Sequence, residues 1–216
     1  MDLFSVENKF DLRTKFGFAT SDKIMLFVGR LGKEKNINFL MDVYKETRKK
    51  VNNLKFVIVG SGEERKPLEK YAKQLGVNSG VAFTGAIPRE EVIDVYKQAD
   101  VFAFASYTET QGLVVLESMA AGTPVVALGK MGVYDLLKNP EAGGIMINDL
   151  DERKFVNSIY NVLNNKDFYS DLSGRGKIFV KESFSSHTSI RKALNLYEIV
   201  IAEKRIASSN NIEYQS

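Results

Sequence analysis

The chain has 216 residues, 44% hydrophobic and 26% charged, enough to bury one substantial globular core. Its net charge of +3 is small and its basic residues are scattered, which argues against nucleic acid and leaves an anionic small ligand open. The absence of cysteine excludes disulfides and thiolate metal sites and fits a cytoplasmic setting. No apolar run nears the ~20 residues of a bilayer span, so membrane contact is expected only as peripheral association at the inner face.

Residues 1 to 22 read as a surface segment feeding into the first strand, Ile24 to Gly29. A helix from Asn36 to Lys50 follows, then the strand Lys55 to Gly60 and a helix from Glu63 to Leu75. Next come the strand Val81 to Thr84, a helix from Pro88 to Gln98 and the strand Val101 to Ala105. A helix opening at Gly112, the strand Pro124 to Leu128, a short helix near Val133 to Leu137 and the strand Gly144 to Ile147 complete the alternation. Apolar strands each separated by a helix imply a parallel sheet covered on both faces. The expected fold is therefore a doubly wound, Rossmann-like α/β domain. Beyond Asn148 the pattern turns helical: Asp151 to Asn164, Lys166 to Glu182 and Thr188 to Ile206. The expected domain is thus 1–206, with a core over 24–148, a helical extension over 151–206 and a frayed tail over 207–216.

Ligands of such sheets bind beyond the carboxyl ends of the strands. The first exit, Gly29-Arg30-Leu31-Gly32-Lys33-Glu34-Lys35-Asn36, carries two cations on a glycine-opened loop. Arg30 and Lys35 there suit a diphosphate, although solvated surface cations are the bland alternative. The second exit, Gly60-Ser61-Gly62, begins a dinucleotide fingerprint that Arg65 leaves incomplete, and a tight turn explains it equally well. The third, Thr84-Gly85-Ala86-Ile87-Pro88, offers backbone groups to a flat base or is a plain loop.

The fourth exit is the most informative. Glu109 and Glu117 flank Gln111, Gly112 and Leu113, where a helix begins. The free N–H groups of a helix start attract phosphate or sugar oxygens. Glu117, five residues beyond Gly112, stands roughly 7–8 Å along the axis at 1.5 Å per residue. It therefore meets a different part of an extended ligand from Glu109. In the apolar context Leu113 to Leu116 and Ser118 to Ala121, an unpaired acid is costly, which favours a functional Glu117 over a plain surface charge. Asp100 and Asp135 read as structural, with Asp135 also placed to face a ligand, and His187, the one histidine, as a surface or capping residue. No Ser-His-Asp set, metal cluster or P-loop is recognisable.

Taken together, these segments resemble the C-terminal, donor-binding half of a GT-B glycosyltransferase of the retaining family 4, group 1. The resemblance rests on Phe27-Val28-Gly29-Arg30-Leu31 with Lys35-Asn36, Val57 to Gly62, Phe83-Thr84-Gly85, Ala99-Asp100-Val101, Glu109 with Glu117, and Gly122-Thr123-Pro124-Val125-Val126. It implies that Arg30 and Lys35 hold the diphosphate and Glu109 the sugar, these three being the catalytic set. It also implies donor contacts from Gly29, Gly60, Gly62 and Gly85, backbone contacts at Gln111, Gly112 and Leu113, a base contact at Ile87, and ribose contacts at Glu117. No metal or other cofactor is implied; the UDP-sugar is a substrate. Glu109-Thr110-Gln111-Gly112-Leu113 stands where many members carry Glu-Gly-Phe-Gly-Leu, and Gly129 to Asp135 replaces the common Gly-Gly-x-Pro-Glu loop. Both variants look like the diacylglycerol glucosyltransferase branch, which implies UDP-glucose and a lipid or saccharide acceptor. The family's N-terminal acceptor domain is missing, so this chain is expected to be an excised half with little activity alone. The alternatives are a free-standing nucleotide-sugar-binding module serving a separate acceptor subunit, and a sugar-nucleotide epimerase of the same architecture.

Overall fold

The structure, a computed structural model, describes residues 10–184. Its elements in order are α1 (Leu12–Phe16), β1 (Lys23–Val28), α2 (Ile37–Arg48), β2 (Leu54–Val59), α3 (Arg65–Gln74), β3 (Val81–Gly85), α4 (Arg89–Gln98) and β4 (Val101–Phe104). They continue with α5 (Leu113–Ala121), β5 (Val125–Leu128), α6 (Met131–Leu137), β6 (Gly144–Ile147), α7 (Glu152–Asn164) and α8 (Lys166–Phe184). The strands form one sheet in the order β3-β2-β1-β4-β5-β6, with every adjacent pair parallel. This is the doubly wound α/β architecture that the alternation predicts.

The strand sequences explain their positions. All of β4 and β5 is buried, as are Ile24, Met25, Leu26 and Phe27 of β1. These three strands lie mid-sheet, where helices cover both faces and leave no polar side to alternate. Phe27, Phe102 and Phe104 stack on neighbouring strands, with centroids 5.7–5.8 Å apart, and form an aromatic slab below the strand exits. Of the helical extension, α7 packs Phe155 edge-on against Phe39 of α2, with centroids 5.2 Å apart. The 188–206 helix, the 207–216 tail and His187 lie outside the described residues.

The leading segment departs in part from expectation over residues 10–22. Most of it lies exposed, as expected, but it also docks through two apolar side chains. Phe10 and Leu12 are buried, and α1 is capped by Asp11 at its start and by left-handed Gly17 at its end. The dock is α4: Asp94 accepts the Phe10 N–H at 3.1 Å. Gln98 accepts the Leu12 N–H at 3.0 Å and donates to the Phe10 carbonyl at 2.6 Å. Two apolar residues are too few to show a period, and their partner lies more than eighty residues away.

Candidate functional site

In the observed order the chain runs outward from β1 to one edge and, from β4, to the other. The loops leaving β1 and β4 therefore diverge at their carboxyl ends and leave a crevice, where ligands of such sheets bind. Both loops carry the predicted charged residues, and tertiary bonds fasten one to the other. Asn36 donates to the Ala105 carbonyl at 2.8 Å, and the Tyr107 N–H donates to the Glu34 carbonyl at 3.1 Å. Asn36 does so from a left-handed backbone, φ 51, which asparagine tolerates better than most residues.

Lys35 is the centre of this junction. Its Nζ lies 3.1 Å from Glu109 Oε2, 3.3 Å from Ser106 Oγ and 5.7 Å from the Phe104 ring. Both partners are largely shielded, at 12% and 21% side-chain exposure, so water screens the attraction less than on the open surface. Arg30 has a different partner, its side chain 67% exposed and bound to Glu34 at 2.6 Å. A backbone N–H and the Arg30 charge hold the Glu34 carboxyl below its ordinary range. Each cation predicted to meet a diphosphate thus already faces a carboxylate, and an anion entering here competes with Glu34 and Glu109.

Glu109 itself is fixed from below. Its carbonyl accepts the Gly132 N–H at 2.9 Å, and a Cβ on Gly132 would lie 2.2 Å from the Thr110 carbonyl oxygen. Gly132 of α6 is therefore the surface on which the Glu109 loop rests. Gly112, in the left-handed conformation at φ 67, turns the chain into α5, with Gln111 and Leu113 exposed on either side. Its carbonyl accepts from Val115 and Leu116, leaving the N–H groups before them unused by the helix ladder.

The second acid lies at the other end. Glu117 Oε1 accepts from Arg89 Nη2 at 3.1 Å and Oε2 from the Tyr96 hydroxyl at 3.3 Å. Both donors belong to α4, and Arg89 follows Ile87-Pro88 directly, so the loop expected to meet a base lies next in the chain to the partner of Glu117. The structure joins Glu109 to the β1 exit and Glu117 to the β3 exit.

Gly60 and Gly62 have a packing explanation. A Cβ on Gly60 would sit 1.9 Å from the Gly29 carbonyl oxygen, and one on Gly62 2.3 Å from that of Leu31. Gly60 also donates to the Gly85 carbonyl at 3.0 Å. The exits of β1, β2 and β3 are thus laced together through bare backbone, so the Gly60-Ser61-Gly62 turn needs its glycines without any ligand. Asp100 crosslinks the strand starts, accepting from Lys23 Nζ and the Ile24 N–H. Asp135 pairs with Lys138 on the exposed side of α6.

Sequence reasoning passed over Ser106, Tyr96, Arg89 and Gly132. Ser106 carried a signal as the first polar residue after a wholly apolar strand. Tyr96 sits on the buried face of an amphipathic helix and reads as core. Among the described residues no cluster of three or more metal-ligating side chains occurs, and no helix is long and apolar enough to cross a membrane.

The site invites comparison with known proteins. An uncharacterized glycosyltransferase of Methanocaldococcus jannaschii is 34% identical over 197 residues, spanning 91% of this chain and 50% of that protein. The alpha-monoglucosyldiacylglycerol synthase of Streptococcus pneumoniae is 36% identical over 145 residues, 67% of this chain and 33% of the synthase. The chain therefore spans between a third and a half of the length of these relatives. Among solved structures, HepE of Anabaena in complex with UDP-glucose superposes with a TM-score of 0.76 at 20% identity, over 91% of this chain and 52% of that one. These comparisons lend the epimerase alternative no support. The model of the family "Glycosyl transferases group 1" matches residues 8–179, and the chain belongs to that family.

Proposed function

We propose that this chain binds the nucleotide-sugar donor of a retaining hexosyltransferase, with UDP-glucose as that donor. The observation that carries the reading is the separation of the two acids. Lys35 and Glu109 meet at the β1–β4 crevice, whereas Glu117 is held by α4 next to the Ile87 loop. An extended ligand with a diphosphate, a hydroxyl-rich sugar and a nucleoside matches that order of charge and acceptor groups. The choice of UDP-glucose draws on the UDP-glucose bound by HepE and on the likeness to a glucosyldiacylglycerol synthase.

In the complete enzyme, an acceptor hydroxyl attacks the anomeric carbon on the face from which the diphosphate departs. The new C–O bond forms as the sugar–phosphate bond breaks, and the acceptor proton passes to the leaving oxygen. Arg30, Lys35 and the N–H groups at Gly112 face the growing negative charge, the place where fixed donors lower a barrier most. Glu109 orients the sugar hydroxyls. The acceptor site lies on a further domain, and the complete protein acts on a lipid or saccharide at the membrane surface.

Titration calorimetry with UDP, GDP, ADP and NAD tests the reading, run on the chain and on Glu117→Ala and Arg30→Ala. UDP is expected to bind preferentially and to weaken in both variants. A preference for NAD, or unchanged UDP affinity in both variants, would overturn it. Transfer assays are expected to show little or no glucosylation by residues 1–216 alone.

A further inference from the structure

We propose that Tyr96 is the positioning residue for Glu117, and that Arg89 occupies by exchange the place that the ribose diol takes. This rests on the reading that Glu117 grips the ribose. A carboxylate that receives two neighbouring hydroxyls must hold its plane at one angle to them, and each oxygen can accept a further donor while doing so. On a free side chain that orientation is lost to rotation and must be re-formed at each binding event.

Here the orientation is set from beneath. The Tyr96 side chain is fully buried, its ring 5.7 Å from that of Phe102 on β4. Its carbonyl accepts from Thr123 Oγ1 at 2.5 Å, which ties this turn of α4 to the segment that ends α5. The phenol oxygen is therefore fixed relative to α5, and its hydroxyl reaches Glu117 Oε2. Burial first, then the nearby Glu117 charge, pushes the phenol pKa well above its ordinary value, so Tyr96 remains a donor throughout the physiological range. With one oxygen held, the carboxylate plane is set and the other oxygen faces outward.

That outward oxygen is met by Arg89, whose side chain is 72% exposed against 27% for Glu117. An arginine so placed is held by one screened contact and is readily displaced. The two donors thus differ in kind. Tyr96 is a permanent strut, and Arg89 is a removable cover that keeps the acid paired.

Calorimetry with UDP and 2′,3′-dideoxy-UDP separates the possibilities. The chain is expected to favour UDP about tenfold or more, as a hydrogen bond to a charged group warrants. Glu117→Gln should remove most of that preference. Tyr96→Phe should lower the preference about fivefold by weakening UDP alone, with dideoxy-UDP unchanged. Arg89→Ala should tighten UDP about two- to fivefold, the range of an exposed ion pair, again without effect on dideoxy-UDP.

Equal losses for both ligands in Tyr96→Phe would assign that residue a structural role only and overturn the inference, as would an undiminished preference. Weaker UDP binding by Arg89→Ala would overturn the exchange independently, even if the tyrosine variant did not fold. If the unaltered chain bound the two nucleotides equally, the ribose reading of Glu117 would fail instead, a result distinct from all of these.

Discussion

Lys35 Nζ lies 3.1 Å from Glu109 Oε2, an ion pair that joins the loops leaving β1 and β4 across the crevice between them. On the proposed reading a diphosphate draws Lys35 away from Glu109, so the acid would oppose binding of the nucleotide while favouring that of the sugar. Glu109→Ala should therefore bind UDP as tightly as the unaltered chain or more tightly, yet lose the added affinity of UDP-glucose over UDP. Lys35→Ala should lose at least about tenfold for both. Calorimetry reads both outcomes, and weaker UDP binding by Glu109→Ala would contradict the competition.

Gly60→Ala should destabilise the fold through contact with backbone. The added methyl meets the Gly29 carbonyl oxygen at 1.9 Å while φ is +134, so the exits of β1 and β2 must part. A loss of about 2–4 kcal/mol is expected in urea denaturation. Gly17→Ala is the control, with φ +65 and no atom within 4 Å of the added carbon. It should cost only about 1 kcal/mol, from backbone strain alone.

Alkaline pH should unfold the protein partly through Tyr44. Burial pushes its pKa up to about 12, while in the unfolded chain it is near 10. The folded state then holds the proton more tightly, so this contribution is complete below pH 10 and is lost as pH rises from 10 to 12. Its size is on the order of 2–3 kcal/mol. Tyr44→Phe removes the hydroxyl that reaches the Leu54 and Gly80 carbonyls, each at 3.1 Å. Near pH 8 the variant should be less stable by about 1 kcal/mol. Between pH 10 and 12 its stability should fall less steeply than that of the unaltered chain, as measured by urea titrations across that range.

Leu12→Ala should cost about 2 kcal/mol or more, since its side chain is wholly buried. Gln98→Ala, which removes the bridge between the Phe10 carbonyl and the Leu12 N–H, should loosen the same segment. Hydrogen exchange at Phe10 and Leu12 is expected to quicken in both variants while β4 stays protected. A leading segment that served as mere surface would leave urea midpoints unmoved.

Gly132→Ala separates fold from site. The added methyl meets the Thr110 carbonyl oxygen at 2.2 Å and pushes the Glu109 loop away from α6. UDP-glucose affinity should fall by more than UDP affinity, because Glu109 is the displaced group. Calorimetry with the two ligands checks this, and equal losses would count against the role of Gly132 as the seat of that loop.

Much of the fold was legible in the residues themselves. Six apolar runs mark six strands to within a residue or so at each end: the four inner strands because they have no solvent face, and the edge strands β3 and β6 because they too are short apolar runs between turn residues. The glycine turn into α5 was legible for a similar reason: Gly112 lies before an apolar helix and takes a left-handed conformation. The docking of Phe10 and Leu12 was not, since its signal is one surface meeting another far along the chain.

The candidate site divides along the same line. The two acids, the two cations and the loops that carry them were readable from residue type and spacing, since charges on strand exits are conspicuous beside apolar strands. Their partners were not: Lys35 meets Glu109 only when strand order brings the β1 and β4 exits together, Glu117 meets Tyr96 and Arg89 only when α5 packs on α4, and Arg30 turns to Glu34, four residues on, only in the folded loop. Gly60 and Gly62 read equally as part of a ligand loop or as a tight turn, and only the packed backbone shows that the close approach of the strand exits itself requires glycine there. Local composition sets which chemical groups are available and on which element, because periodicity and turn chemistry act over a few residues. Strand order and packing set which groups touch, because that depends on free energy summed over the whole core.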